Sequence, residues 1–64
     1  MTPDEAVDLV KTWPRNRSVP RKLAAGILAA KGQDRAEIAM LVEVLMVASK
    51  TQADYELIDK YFAD

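Results

Sequence analysis

The stretch that decides the fold is residues 34–48, which read DRAEIAMLVEVLMVA. After its first two residues only Glu37 and Glu43 are polar, and neither Gly nor Pro interrupts the run. Asp34 followed by Glu37 has the spacing of a capping box, so the pattern predicts a helix over about 35–48. A helix that is apolar on nearly its whole circumference must be covered on several sides, which makes this segment the predicted centre of the core.

Two further helices are predicted before this segment. Thr2-Pro3-Asp4-Glu5 forms a capping box with Pro in the first turn, so we expect a helix over about 3–12 that Pro14 stops. Pro20 marks a second start, and the apolar spacing that follows predicts a helix over about 21–31. Gly32 is the expected left-handed C-cap of this second helix.

A last helix is predicted after residue 48. Ser49 or Thr51 can serve as its N-cap, although one long bent helix is an alternative. Its inward face is expected to consist of Leu57, Ile58, Tyr61 and Phe62. The sequence therefore predicts an all-α fold, a single domain over residues 1–64 in which three or four short helices form a bundle around the central apolar helix.

The composition bears on catalysis and on location. The 64 residues include no Cys and no His, which removes disulfides, thiolate metal sites and the commonest metal ligand and general base. Ser18 and Ser49 are better explained as helix caps than as nucleophiles. We therefore expect a non-enzymatic protein with no catalytic residues, no metal site and no cofactor.

The longest apolar run is interrupted by two glutamates and the N-terminus lacks a signal-peptide pattern, so a cytoplasmic location without a membrane segment is expected.

The charges are strongly polarised along the chain. Residues 11–35 hold seven of the nine Lys and Arg residues against one acid and carry a net charge of +6. Residues 1–10 carry −3 and residues 36–64 carry −4. A near-neutral total of −1 thus conceals a basic segment between two acidic ones, and this asymmetry points to a charged partner.

Four cations near the second helix have no evident local partner: Arg15, Arg17, Arg21 and Lys22. Arg21 and Lys22 fall in a first turn, where the helix dipole favours acid and disfavours base by roughly 0.3 to 1 kcal/mol per charge. These cations are either compensated within the protein or its dimer, or kept for a ligand. The predicted function is a protein–protein interaction module or small regulator, which binds an acidic partner surface through residues 15–22.

Trp13 has two interpretations. An aromatic side chain just past a helix end most often closes one end of the core. Its position beside the basic segment also makes it a candidate contact residue for base stacking or for a protein interface, and we include it among the predicted partner-binding residues. The alternative function is therefore nucleic-acid binding, with the same basic segment contacting the phosphate backbone. A sequence pI near 5.3 and the acidic outer helices count against this alternative.

The central helix is also predicted to mediate self-association. A bundle of 64 residues can cover about two sides of such a helix, which leaves an apolar stripe exposed on a monomer. A symmetric homodimer would cover that stripe. The predicted dimer interface consists of Met40, Leu41, Val44 and Leu45.

Overall fold

The computed structural model describes residues 1–63, so the last residue of the predicted 1–64 domain lies outside the described residues. Within this range the chain forms four helices and no strand, which confirms the all-α prediction. They are α1 (Pro3–Val10), α2 (Val19–Ala29), α3 (Gly32–Ala48) and α4 (Gln52–Phe62). The longest helix, α3, packs against all three others, and the chain therefore folds as a bundle around α3.

The first and last helices begin at capping boxes. The Thr2 hydroxyl accepts the Glu5 amide at 3.2 Å, while the Glu5 carboxylate accepts the Thr2 amide at 2.9 Å. The pKa of Glu5 is lowered, first because the Thr2 amide donates to its carboxylate and then because of a hydrogen bond with the Thr2 side chain. Thr51 and Asp54 repeat the arrangement at the start of α4, so α3 and α4 are separate helices. The start of α1 agrees with the sequence prediction, and of the two N-caps predicted for the last helix, Ser49 and Thr51, the structure has Thr51.

The two middle helices begin earlier than predicted. Helix α2 starts at Val19, not residue 21, and ends at Ala29, with Ala30 in extended geometry as its C-cap. Gly32 has the expected left-handed backbone, with φ of +58°, but it is the first residue of α3 instead of the C-cap of α2. The predicted capping box at Asp34 is wrong, because the Arg35 amide already bonds to the Lys31 carbonyl and Asp34 lies inside the first turn.

The core lies between one face of α3 and the other helices. Its fully buried aliphatic side chains include Val19, Leu23, Ile38 and Leu45, and Ile58 of α4 is also buried. Leu57, Tyr61 and Phe62 are half-buried on the same side of α4, in agreement with the predicted inward face. Burial of these side chains is the main favourable contribution to folding.

A close contact explains Gly26 in α2. Gly26 is buried, and a Cβ atom at this position would lie 2.8 Å from Sδ of Met1 and 3.3 Å from its Cβ. The glycine therefore lets the side chain of Met1 lie directly on α2.

Among residues 1–63, no helix combines the length and the apolar character that crossing a membrane requires.

Candidate interaction surfaces

The start of α2 presents cations without local compensation. Arg21 and Lys22 are exposed in its first turn, which contains no acidic residue. Ser18, the N-cap, makes no side-chain cap bond, since its backbone is helical (φ −85°, ψ −6°) and not extended; its hydroxyl donates to the Asn16 side-chain oxygen at 2.7 Å. The positive end of the helix dipole therefore coincides with two positive side chains.

Arg17 is held by the protein itself. Its guanidinium donates to Asp54 at 2.5 Å and to the Pro14 carbonyl at 3.2 Å. It also lies over the Trp13 ring, 4.8 Å from the ring centroid, which is a cation–π distance. The side chain is only partly exposed. Of the four cations predicted to be unpaired, Arg17 is thus compensated by an acid 37 positions away in sequence.

Asp54 receives three donors at the start of α4. One carboxylate oxygen accepts the backbone amides of Lys50 and Thr51 at 2.8 and 3.2 Å, and the other accepts Arg17. The pKa of this buried carboxyl falls to about 2, first because the Lys50 amide donates to it and then because of Arg17. Asp54 therefore stays ionised at neutral pH and ties the segment before α2 to α4.

Trp13 lies in the core, which corrects its prediction as a partner-binding residue. The side chain is buried, and its indole nitrogen donates to the Leu45 carbonyl and to the Ser49 hydroxyl, both at 3.1 Å. The Ser49 hydroxyl in turn donates to the Leu45 carbonyl at 2.7 Å. Trp13 therefore closes one end of the core and offers no face for stacking.

The outer face of α3 is apolar and uncovered. Met40 is 71% exposed and Val47 is 87% exposed. Ala36 and Val44 are exposed on the same side, and the four positions follow one another at i, i+4, i+8 and i+11. We call Ala36, Met40, Val44 and Val47 the outer stripe.

The structure changes the predicted dimer interface. Met40 and Val44 belong to the outer stripe, but Leu45 is fully buried and Leu41 is half-buried against the core. Leu45 therefore offers no surface to a second molecule, and Leu41 offers only part of its side chain. Val47 was missed because an almost uniformly apolar helix gives no periodic signal for its outward side.

Two glutamates border the outer stripe. At 100° per residue, Glu37 and Glu43 lie about 60° to either side of Met40. Both are exposed, and the Glu37 carboxylate accepts a hydrogen bond from the side-chain Nε2 of Gln33 at 3.3 Å. The outer face of α3 is therefore an apolar strip with an acid on each edge.

A second apolar surface lies between α2 and α4. A shallow groove of about 180 Å³ is lined by Ala24, Ile27, Leu28, Tyr61 and Phe62. Leu28 lies at its edge and is 76% exposed.

Within the described part of the chain, no three acidic side chains lie close enough together to hold a metal ion.

The chain matches no protein-family model, no curated protein and no solved structure.

Proposed function

We propose that this protein is a non-enzymatic interaction module with two binding surfaces. The first is the cationic surface formed by Arg15, Arg21 and Lys22, which binds an acidic protein surface. The second is the outer stripe of α3, which is covered by self-association. The observation that carries the proposal is the start of α2, where two exposed cations occupy a first turn without an acid.

The stability that is lost by placing Arg21 and Lys22 in the first turn of α2 supports a binding role. A cation in the first turn loses a favourable interaction with the helix dipole and gains an unfavourable one, each about 0.3 to 1 kcal/mol before screening. The two ion pairs among residues 1–63 use Lys11 and Arg17, and neither uses Arg21 or Lys22. Side chains that reduce stability without internal compensation are typical of sites that serve a ligand.

The cationic surface is held on a fixed support. Arg17 binds Asp54 and lies on Trp13, so the segment that carries Arg15 is fastened to both α3 and α4. A fixed cation loses less entropy when it forms an intermolecular ion pair than a cation on a mobile loop does. This support favours recognition of a shaped acidic surface.

A protein partner fits these observations better than nucleic acid. Trp13 is buried and cannot stack on a base. Glu37 and Glu43 border the outer stripe, and the first turns of α1 and α4 carry acids. A rigid DNA duplex that extends beyond the cationic surface would meet repulsion from such groups, whereas an acidic polypeptide can confine its contacts to the cationic surface.

The test is a pair of binding titrations followed by NMR amide shifts. The probes are poly-L-glutamate and a short DNA duplex, each at low and at physiological salt. Arg21→Glu/Lys22→Glu is compared with Lys31→Glu/Arg35→Glu, which makes the same change in net charge elsewhere. We expect poly-L-glutamate to shift residues 15–22 of the wild type and of the control, and to leave the α2 variant unshifted.

Two results would contradict the proposal. One is equal binding of poly-L-glutamate by the two variants, which would show a response to net charge alone. The other is tighter binding of the DNA duplex than of poly-L-glutamate, with a steep salt dependence, which would establish the nucleic-acid alternative.

A further inference from the structure

We propose that the acidic surface recognised by α2 is the outer face of α3 in a second copy of this chain. This inference rests on the proposed function and names the partner of the same cationic surface. The outer face of α2 in one copy lies along the outer stripe of α3 in the next. Opposite charges on the two faces and matching apolar positions along them carry the inference.

The outer face of α2 has the chemistry that such a contact needs. Ala25 is exposed, and at 100° per residue Arg21 and Lys22 lie about 40° and 60° to either side of it. Leu28, at 76% exposure, and Ala29 continue the face toward the end of the helix. The α2 face thus starts with a cation on each edge and ends with apolar side chains.

The α3 face is its counterpart. Glu37 and Glu43 lie on the two edges of the outer stripe, so each can meet one cation of α2. The middle of the α2 face carries a small side chain, Ala25, whereas the middle of the outer stripe carries a large one, Met40. A small residue opposite a large one allows the two helices to approach closely.

The spacing of these residues favours two parallel helices. Along the helix axes Arg21 and Lys22 are about 1.5 Å apart and Glu37 and Glu43 about 9 Å apart, at 1.5 Å per residue. The two cations therefore lie opposite Met40 and each reaches toward one glutamate, which places Leu28 about 10 Å further along α2. In the parallel orientation this position is opposite Val44 and Val47. In the antiparallel orientation Leu28 would lie near the polar Gln33, so the parallel orientation buries more apolar surface.

The contact joins two different faces. Each copy offers one α2 face and one α3 face, so such contacts close into a ring or continue as a chain. Self-association then depends on the cations of α2 as well as on the outer stripe. A symmetric contact of α3 with α3 would not depend on these cations, and this difference makes the inference testable.

The experiment is a charge-swap mixture measured by light scattering. Arg21→Glu/Lys22→Glu and Glu37→Lys/Glu43→Lys are prepared separately, and circular dichroism verifies that both remain helical. Each variant alone has two faces of like charge, so we expect at least a tenfold weaker association, about what two lost ion pairs produce. The equimolar mixture again pairs opposite charges and should regain the mass of the wild type. Lys31→Glu/Arg35→Glu is the control and should associate like the wild type.

Three outcomes would overturn the inference. They are a wild type that stays at 7.1 kDa, an Arg21→Glu/Lys22→Glu variant that associates like the wild type, and a mixture that fails to regain association. If Glu37→Lys/Glu43→Lys loses helix, Glu37→Gln/Glu43→Gln replaces it, and undiminished association of that variant would likewise overturn the inference. Poly-L-glutamate binding distinguishes the two proposals. A variant that loses this binding but still self-associates leaves the proposed function standing and removes only the α2–α3 contact.

Discussion

The two faces of α3 have similar side chains and opposite surroundings. On the inner face Ile38 and Leu45 are fully buried, while on the outer face Met40 and Val47 are 71% and 87% exposed. The inner face contributes to folding because its apolar surface leaves water when the bundle forms. The outer face gains nothing from folding of the single chain, so its apolar side chains are available for intermolecular binding.

The largest expected change in stability comes from shortening a side chain on the inner face, and the same change on the outer face should have little effect. Leu45→Ala should lower the free energy of unfolding by about 3 kcal/mol, because it removes buried methyl groups and leaves a cavity. Val47→Ala should change it by less than about 0.5 kcal/mol at concentrations where the chain is monomeric. Urea unfolding followed by circular dichroism measures both. Similar losses for the two variants would show that the outer face is also part of the folded core.

The second prediction concerns the ion pair that fastens the segment before α2. Asp54→Asn should lower the melting temperature by several degrees, because Arg17 loses its carboxylate and the Lys50 and Thr51 amides lose an ionised acceptor. Asp59→Asn, at an exposed position of the same helix, is the control and should melt within a degree or so of the wild type. An unchanged melting temperature for Asp54→Asn would contradict the structural role of the Arg17 pair.

The same carboxylate predicts a pH dependence. Its pKa lies at about 2 in the folded protein and at 3.8 for an ordinary Asp. Because the folded-state pKa is the lower one, Asp54 stabilises the fold fully above pH 3.8 and progressively less as the pH falls toward 2. Melting curves of the wild type and of Asp54→Asn should therefore converge over this pH range. A constant difference between the two down to pH 2 would show that Asp54 is not the group responsible.

Substitutions at the cationic surface are expected to raise stability slightly, whereas those at Leu45 and Asp54 lower it. Arg21→Glu/Lys22→Glu should raise the free energy of unfolding by a few tenths to about 2 kcal/mol, since acids in a first turn interact favourably with the helix dipole. The melts are run at low concentration, where association does not add to stability. A melting temperature several degrees below that of the wild type would show internal ion pairs at these residues and remove them from the proposed binding surface.

Local signals in the sequence predicted the parts of the fold that depend on local bonds. The capping boxes at Thr2 and Thr51 each join residues three positions apart. The box at Thr2 was predicted, and Thr51 was one of two N-caps predicted for the last helix, with one long bent helix as the alternative. The junction of α2 and α3 was predicted incorrectly, because Gly32 adopts its left-handed backbone at the start of α3 and not at the end of α2. Asp34 had a suitable spacing for a cap but lies inside the helix.

The candidate surfaces depend on contacts that no local pattern reveals. Arg17 and Asp54 are 37 residues apart in sequence, so nothing near Arg17 indicated that it was paired. The outer stripe was foreseen as an exposed side of α3, and Met40 and Val44 were assigned to it correctly, but the buried Leu45 and the half-buried Leu41 were assigned to it wrongly. Leu45 and Val47 are equally apolar in sequence, and only the packing of the other helices determines which of them is covered.

The most direct test of the central claim, that the outer face of α3 is a binding surface, is the molar mass of the protein by light scattering over a range of concentrations. We predict that the wild type exceeds 7.1 kDa increasingly as its concentration rises, and that Met40→Lys/Val47→Lys remains folded at 7.1 kDa. A wild type that stays at 7.1 kDa up to high micromolar concentration would contradict the claim.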